Sequence, residues 1–164
     1  MDEKVEKNFL DLLEKNQKII HKICRIYSNE EGYKDLFQEI IIQLWKSYSS
    51  FKGESKFTTW MYSVSLNTAM SLFRKVKKHE TKINIELVQD KIKHDEINDD
   101  DEIKVKKMYQ AIHQLNDVDK ALIMMYLDDK DYSEISRILG ITEGNARVKM
   151  NRARNKLKQL IKNR

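Results

Sequence analysis

Apolar side chains recur every three or four positions through most of this chain, which places them along one face of an α-helix. The alternation of apolar and polar residues that is typical of β-strands is missing. Seven helices are predicted, at Lys4–Tyr27, Tyr33–Tyr48, Ser55–Lys78, Ile103–Leu115, Val118–Leu127, Tyr132–Leu139 and Glu143–Lys162. The sequence therefore predicts an all-α fold.

Helix-breaking residues are few and fall where these helices are expected to end. Proline is absent, and glycine occurs only four times. Gly140 lies where a left-handed helix end is expected, and Asp117, Ser133 and Thr142 lie at expected N-caps. The predicted buried stripes are Phe9, Leu13, Ile20, Ile23 and Tyr27; Leu36, Phe37, Ile40, Ile41, Leu44 and Tyr48; Phe57, Trp60, Met61, Val64, Thr68 and Leu72; and Ala146, Met150, Ala153, Leu157 and Leu160.

Charge is distributed unevenly and divides the chain into two parts. The whole chain has a net charge of +5, yet residues 79–104 contain nine acidic and four basic side chains. The run Asn98–Glu102 cannot bury apolar surface, so it is expected to be solvated or disordered. We therefore predict two small helical modules, residues 1–78 and 105–164, joined by an acidic flexible linker at 79–104.

The last part of the chain has the pattern of a helix-turn-helix. Asp131–Leu157 combines a short predicted helix, a turn at Gly140 and a longer helix, an arrangement whose second helix enters a DNA groove. Residues 147–164 contain eight cationic side chains and no acidic one. A solvated face usually mixes both signs, so this stretch favours nucleic-acid binding over simple solvation.

Other kinds of function find little support. The single cysteine, Cys24, excludes an internal disulfide and is interpreted as an apolar core residue. No metal or cofactor site is expected, because the histidines are scattered and no phosphate-binding glycine loop is present. We expect no enzymatic activity. Without an apolar run of about 20 residues or a signal peptide, the protein is expected to be cytoplasmic.

Three stretches, in order, resemble bacterial sigma factors of the sigma-70 superfamily, specifically the extracytoplasmic-function type. Asp35–Trp45 is similar to the helix that binds core RNA polymerase in that family, and Phe51–Ala69 to its −10-recognition loop and helix. Asp131–Leu157 is similar to its −35-reading helix-turn-helix. The resemblance covers roughly Ile19–Lys78 and Met108–Ile161. It implies a sigma factor that binds core polymerase and directs promoter-specific initiation by reading both elements.

The first of these stretches contains a predicted protein-binding face. Asp35, Gln38, Glu39 and Gln43 are spaced so that they share one polar side of a helix. Spacing alone would favour a solvated face, whereas the resemblance implies contact with the β′ clamp helices of the polymerase. Trp45 is expected to lie partly in the core and partly at this interface.

The second stretch is expected to hold a base that has left the DNA stack. By resemblance, Phe51 and Asn67 line the pocket and Lys52 lies near the backbone. The alternative is that Phe51 is tucked into the core, and for Trp60 the choice between core anchor and base contact stays open. Candidate phosphate contacts are Arg74, Lys75, Lys77 and Lys78.

In the third stretch, the start of the recognition helix is expected to read bases. Those residues are Asn145, Arg147, Val148 and Asn151. The expected phosphate contacts are Lys149, Arg152, Arg154 and Lys156, while Thr142 and Gly144 shape the helix start.

The resemblance also implies partners. They are core RNA polymerase, through its β′ clamp helices and β flap, promoter DNA and an anti-sigma factor that covers the polymerase-binding surface; the free chain is expected to be a monomer. The main alternative is an ordinary helix-turn-helix regulator whose N-terminal half is a sensor or dimerisation domain. Asp35–Trp45 and Phe51–Ala69 argue against it.

Overall fold

The computed structural model describes residues 2–79 and 99–163, which contain seven helices and no strand. The helices are α1 (Glu3–Tyr27), α2 (Glu30–Tyr48), α3 (Phe57–His79), α4 (Asp99–His113), α5 (Asp117–Leu127), α6 (Tyr132–Leu139) and α7 (Glu143–Lys162). The prediction of an all-α fold is confirmed. Most of the predicted linker lies outside the described residues.

Several helix starts differ from the predicted ones. The side chain of Asn116 accepts a hydrogen bond from the backbone N–H of residue 119 at 2.8 Å, and that of Asp131 accepts one from residue 134 at 2.7 Å. These residues are the N-caps of α5 and α6. The predicted caps Asp117 and Ser133 were therefore wrong, because side chains one and two positions earlier accept the hydrogen bonds of the first turns. Similarly, Asn29 caps α2, which begins at Glu30, three residues before its predicted start.

Helix α4 also begins earlier than predicted, at Asp99 instead of Ile103. Asp99–Glu102 forms the first turn of α4, and the side chains of Asp100 and Asp101 are exposed. Of the two predicted alternatives, solvation agrees with the exposed side chains of Asp100 and Asp101. Carboxylates are favourable in the first turn, where the unpaired N–H groups give the helix a partial positive charge.

The first three helices form one bundle. Its core contains Ile20 and Ile23 of α1 together with Ile40 and Leu44 of α2, all fully buried. The buried face of α3 is broader than predicted, and its buried residues are Thr59, Met61, Tyr62, Ser65, Leu66, Ala69 and Met70. The other predicted members of the α3 stripe are half-buried along its edges.

The last four helices form a second bundle around α5. Ala121–Met125 is buried throughout, because α5 is surrounded by neighbouring helices. Ile135 of α6 and Met150 of α7 pack into the same core. The predicted stripe of α7 is confirmed at Ala146, Met150 and Ala153, whereas Leu157 and Leu160 are only half-buried.

The two bundles pack against each other. One side of α3 contacts α1 and α2 and another contacts α5 and α6, so a single buried cluster runs through both bundles. Asp128 accepts hydrogen bonds from Tyr62 and Lys22 across the boundary. Thr59 donates to Glu134 at 3.1 Å. This contact was absent from the predictions, and it explains why α3 buries residues on more than one face.

Candidate functional site

The outer face of α2 brings together the four predicted polymerase-binding polar residues. Asp35 and Gln38 are exposed, whereas Glu39 and Gln43 are half-buried. Gln43 Nε2 donates a hydrogen bond to Glu39 Oε1 at 2.8 Å, which orders these two side chains. The predicted Trp45 is half-buried, with its ring centroid 5.0 Å from that of Phe9 in α1.

An apolar residue in this face was missed by sequence reasoning. Ile42 is 44 % exposed, whereas Ile40 is fully buried and Ile41 half-buried. Three consecutive residues span about 200° of a helix, so three isoleucines in a row cannot all face one core. That run is the signal that could have identified Ile42. Ile42 therefore adds one apolar side chain to an otherwise polar face.

The loop between α2 and α3 rests on a group of rings, here called the aromatic cluster: Tyr48, Phe51, Phe57 and Trp60. The centroid of Phe51 lies 5.8 Å from Phe57 and 5.1 Å from Trp60, and Trp60 lies 6.2 Å from Tyr48. All four residues are half-buried. Phe51 therefore covers the cluster without entering the core, and Trp60 is its centre.

The remaining predicted −10 residues lie along or beside α3. Lys52 is exposed in the loop, and Asn67 is exposed two helical turns after Trp60, on the same side of α3. A flat aromatic surface with an amide and a cation nearby can stack a base and bind its edge and backbone. Asn67 and Trp60 therefore share one side of α3, next to the loop that carries Phe51 and Lys52.

The C-terminal part of α3 carries the predicted phosphate contacts. Arg74 and Lys75 are exposed, and Lys77 Nζ lies 5.6 Å from the ring of Phe73. Arg74 Nε is 2.5 Å from Asp117 Oδ2, so this cation is already paired with the second bundle. Lys78 belongs to α3, but its side chain lies outside the described residues.

Next to this ion pair is a buried lysine that the sequence did not reveal. Lys120 of α5 is only 2 % exposed, and its Nζ lies 4.3 Å from the ring centroid of Phe73 and 5.8 Å from that of Tyr27. Burial and then the charge of Lys77 lower the pKa of Lys120 to about 8, against an opposing effect of Asp117. Lys120 thus extends from α5 of the second bundle towards aromatic rings of α1 and α3 in the first.

The helix-turn-helix forms as predicted. Gly140 ends α6 with φ of 66°, a left-handed conformation that glycine adopts without a steric penalty. Thr142 Oγ1 accepts a hydrogen bond from the backbone N–H of Asn145 at 3.1 Å, which confirms it as the N-cap of α7. With Ala146, Met150 and Ala153 turned inward, the residues left exposed on α7 include Gly144, Asn145, Arg147, Val148, Asn151, Arg152 and Lys156.

Several cations of α7 already have partners. The guanidinium carbon of Arg147 lies 4.4 Å from the ring centroid of Tyr132, and that of Arg154 lies 4.5 Å from that of Tyr126. Lys156 Nζ is 3.8 Å from Asp119 Oδ2. Lys149 is half-buried. The helix thus presents a cationic surface in which two arginines are held against tyrosine rings.

Other potentially reactive groups are buried or scattered. Burial raises the pKa of the Cys24 thiol to about 12, which suits an inert core residue. Burial, followed by the charge of Lys120, lowers the pKa of His113 to about 4. Within residues 2–79 and 99–163, no three His, Cys, Asp or Glu side chains are grouped so that they could hold a metal ion. None of the described helices has the length and apolar character needed to cross a membrane.

Two family models match the chain. The model for Sigma-70 region 2 matches residues 12–79, and the model for Sigma-70, region 4 matches residues 106–157. Together they cover most of the chain, including all of α2 and α6.

Curated relatives match over nearly the whole length. The ECF RNA polymerase sigma factor SigW of Bacillus subtilis is 25% identical over 167 residues, which cover 94% of this chain and 89% of the relative. The RNA polymerase sigma factor YlaC of the same organism is 28% identical over 147 residues, covering 87% and 85%. The ECF RNA polymerase sigma-E factor of Escherichia coli K12 is 24% identical over 160 residues, covering 87% and 84%.

Two solved structures share the fold. The sigma factor RpoE in complex with the anti-sigma factor NepR from Bartonella quintana superposes with a TM-score of 0.76 at 21% identity, covering 95% of this chain and 98% of that one. CnrH in complex with the cytosolic domain of CnrY superposes with a TM-score of 0.68 at 16% identity, covering 96% and 89%.

Proposed function

Because the chain belongs to the sigma-70 family, as an RNA polymerase sigma factor of the extracytoplasmic-function type, we propose how its surfaces divide the task of starting transcription. The protein directs transcription initiation. The alternative of an ordinary helix-turn-helix regulator is not favoured, because the N-terminal half matches sigma-70 region 2. Three surfaces each take one part of this function.

The polymerase-binding surface is the outer face of α2. Its exposed Asp35 and Gln38 flank Ile42, while the hydrogen bond between Gln43 and Glu39 gives that side a fixed shape. A partly apolar centre with a polar rim is the usual composition of a protein interface. The occupant we propose is the pair of β′ clamp helices of core polymerase. Trp45 packs against Phe9 and so anchors α2 to α1 beside this face.

The −10 element is opened at the aromatic cluster. Phe51 presents a partly exposed ring that is held by Phe57 and Trp60, so a base leaving the duplex can stack on it with little further ordering. Asn67 supplies donors and an acceptor for the base edge. Lys52, Arg74, Lys75, Lys77 and Lys78 are the proposed backbone contacts. Trp60 acts as the anchor of Phe51.

The −35 element is read by the start of α7. Asn145, Arg147, Val148 and Asn151 are exposed there, which suits contacts with base edges in the major groove. The proposed phosphate contacts are Thr142, Gly144, Lys149, Arg152, Arg154 and Lys156. Residues 1–78 would thus recognise the −10 element and residues 105–164 the −35 element. The β flap of core polymerase would bind residues 105–164.

An anti-sigma factor is the proposed regulator. Two solved structures that share this fold are complexes, one with the anti-sigma factor NepR and one with the cytosolic domain of CnrY. The exposed α2 face is the surface that such a partner would cover, because blocking it prevents assembly with polymerase. No catalytic role is proposed for this chain, since it acts by binding.

The observation that carries the proposal is the exposed, partly apolar α2 face within the region 2 match. Its test is transcription in vitro by purified core polymerase plus this protein on a library of promoter fragments. The double variant Asp35→Ala/Gln38→Ala is expected to reduce transcription and polymerase binding together. Failure of the unaltered protein to start transcription at any promoter would contradict the proposal.

A matched control is available in α1. Glu14 and Gln17 are also exposed and have the same spacing as Asp35 and Gln38. The variant Glu14→Ala/Gln17→Ala removes the same kinds of side chain outside the proposed surface. It is expected to retain polymerase affinity; an equal loss in both variants would show that the α2 face is not the binding site.

A further inference from the structure

Two arginines of α7 each lie over a tyrosine ring of a neighbouring helix, and both contacts are on one side of α7. Arg147 and Arg154 are separated by about two helical turns, so their side chains leave the helix in nearly the same direction. The guanidinium carbon of Arg147 lies 4.4 Å from the ring centroid of Tyr132, and that of Arg154 lies 4.5 Å from that of Tyr126. Both distances are short enough for a cation–π contact. Neither tyrosine belongs to the recognition helix, and neither has a role in the function proposed above.

The ring of Tyr132 is held in place by the way α6 begins. Tyr132 is the first residue of α6 and follows the N-cap Asp131, whose side chain accepts a hydrogen bond from the backbone N–H of Glu134 at 2.7 Å. Its ring is half-buried and packs against the hydrophobic core. Tyr132 therefore offers Arg147 a ring whose position is fixed before any DNA binds.

Packing does little to restrict Arg147 itself. Its side chain is exposed and lines an open cavity of about 430 Å³ between the turn after α5 and the start of α7. A long side chain that becomes ordered only on binding loses rotamer freedom at that moment, and this loss weakens binding. The contact with Tyr132 restricts the arginine in advance, so less freedom remains to be lost when it meets a base.

An aromatic ring differs from a carboxylate as the partner of an arginine that reads a base. A cation–π contact uses no N–H donor, so the five donors of Arg147 stay available for hydrogen bonds. Arg74, in contrast, is paired with the carboxylate of Asp117, a partner that competes with nucleic acid for the same cation. Tyr132 can thus orient Arg147 without occupying the groups that bind guanine O6 and N7.

We infer that Tyr132 is a positioning residue that sets base preference at the −35 element through Arg147, whereas Tyr126 acts through Arg154 on overall affinity. With the preferred base, an arginine that is already oriented forms its hydrogen bonds with little further ordering. With another base those hydrogen bonds do not form, so the orientation of the arginine gives no comparable advantage. The ring therefore increases the difference in affinity between the two bases. The inference rests on the proposed function, in which Arg147 reads a base and Arg154 contacts a phosphate.

Base preference of the full chain, assembled with core polymerase, tests this inference by competition binding to promoters altered at one −35 base at a time. Tyr132→Leu keeps an apolar side chain but removes the ring, and it is expected to reduce the preference at the base read by Arg147 roughly two- to tenfold. Tyr132→Met fills the space with a flexible side chain and should behave in the same way. Tyr132→Phe keeps the ring and should retain the preference.

Two outcomes of this comparison would overturn the inference. If Tyr132→Leu and Tyr132→Met weaken binding to all promoters alike and leave the preference unchanged, the residue is merely structural. If Tyr132→Phe loses as much preference as Tyr132→Leu, the hydroxyl group is responsible instead of the ring.

The matched control is Tyr126→Leu, which removes the ring from the other arginine–tyrosine contact. It is expected to weaken binding to all promoters by a similar factor and to leave the preference at each −35 base unchanged. A change of preference as large as that in Tyr132→Leu would contradict the different roles assigned to the two rings.

A double-mutant cycle with Arg147→Ala separates this inference from the proposed function. In the Arg147→Ala background, Tyr132→Leu should cause no further change in base preference, and a further loss there overturns the inference. If Arg147→Ala alone changes no preference, the proposed −35 role of this arginine fails, and the inference fails with it. If Arg147→Ala changes the preference and Tyr132→Leu does not, the −35 role stands and the inference alone is overturned.

Discussion

At the scale of single residues, the recognition helix α7 carries arginines in two different settings. Arg147 is exposed in its second turn, whereas Arg154 is half-buried two turns later. Both are held against tyrosine rings that belong to other helices, Tyr132 of α6 and Tyr126 of α5. Such contacts limit the positions that an arginine side chain samples before it meets DNA. Their positions along the helix therefore determine what each arginine can reach.

Arg147 and Arg154 are expected to differ in what they contribute to promoter binding. Arg147→Ala should change the preference at one base of the −35 element by about 1–3 kcal/mol, because we propose that the start of the helix reads base edges. Arg154→Ala should weaken binding to all promoters alike and reduce the salt slope by about one. Competition binding with −35 sequences altered one base at a time measures both effects. Equal, sequence-independent losses in the two variants would refute the assignment.

At the scale of secondary-structure elements, N-caps fix where the helices of the second bundle begin. Asp131 accepts the hydrogen bond from the backbone of Glu134, although Ser133 had been the predicted cap of α6. This hydrogen bond orders the first turn of α6, which packs against α7. Helices α5, α6 and α7 each begin directly after a side chain that accepts a hydrogen bond from the first turn, so an error of one or two positions changes the predicted cap.

Two alanine variants distinguish the observed cap from the predicted one. Asp131→Ala should lower the free energy of unfolding by about 1 kcal/mol, because it leaves an N–H group of the first turn without its partner. Ser133→Ala should change it by no more than about 0.5 kcal/mol, as expected for a residue whose side chain caps nothing. Thermal and urea unfolding measure both. A larger loss in Ser133→Ala than in Asp131→Ala would contradict the assigned cap.

At the scale of the whole molecule, the two bundles share one buried core and several polar contacts. Tyr62 and Lys22 both donate to Asp128, and Arg74 is paired with Asp117. Lys120 is the most unusual element of this boundary, since a lysine is rarely this deeply buried. Its ammonium group lies near the rings of Phe73 and Tyr27, and the charge of Asp117 also favours its protonated form. The stability of the packed arrangement should therefore depend on pH.

The sign of this dependence follows from the pKa of Lys120, which is about 8 in the folded protein against 10.5 for an unperturbed lysine. Between these values the unfolded chain keeps the proton that the folded chain has lost. The free energy of unfolding should therefore rise with pH across this window and be insensitive to this group below it. Relative to Lys120→Met, the unaltered protein should gain on the order of 3 kcal/mol between about pH 7 and about pH 10.5.

Urea unfolding at constant ionic strength, repeated across this pH range, checks the prediction. The control is Lys107→Met, which removes an exposed lysine of α4 and should leave the pH dependence of the unaltered protein in place. A parallel pH dependence in the unaltered protein and in Lys120→Met would show that this side chain is not the titrating group.

Much of the fold, including the helix-turn-helix, could be predicted because the signals are local. Apolar periodicity identified all seven helices, and Gly140 and Thr142 marked the turn and cap of the helix-turn-helix. The side chains left exposed on α7 follow directly from the inward stripe at Ala146, Met150 and Ala153. Local propensity was less reliable at helix starts, where neighbouring residues can serve equally well as caps.

What the sequence determined by itself was the set of helices, the family resemblance and the cationic recognition helix, since each depends on residues close together in the chain. Only the tertiary structure decided that α3 contacts both bundles, that Arg74 pairs with Asp117, and that Lys120 is buried. It also placed Tyr132 of α6 and Tyr126 of α5 against the arginines of α7. Tyr62 and Asp128 are 66 positions apart, and contacts between such distant residues leave no periodic pattern in the sequence.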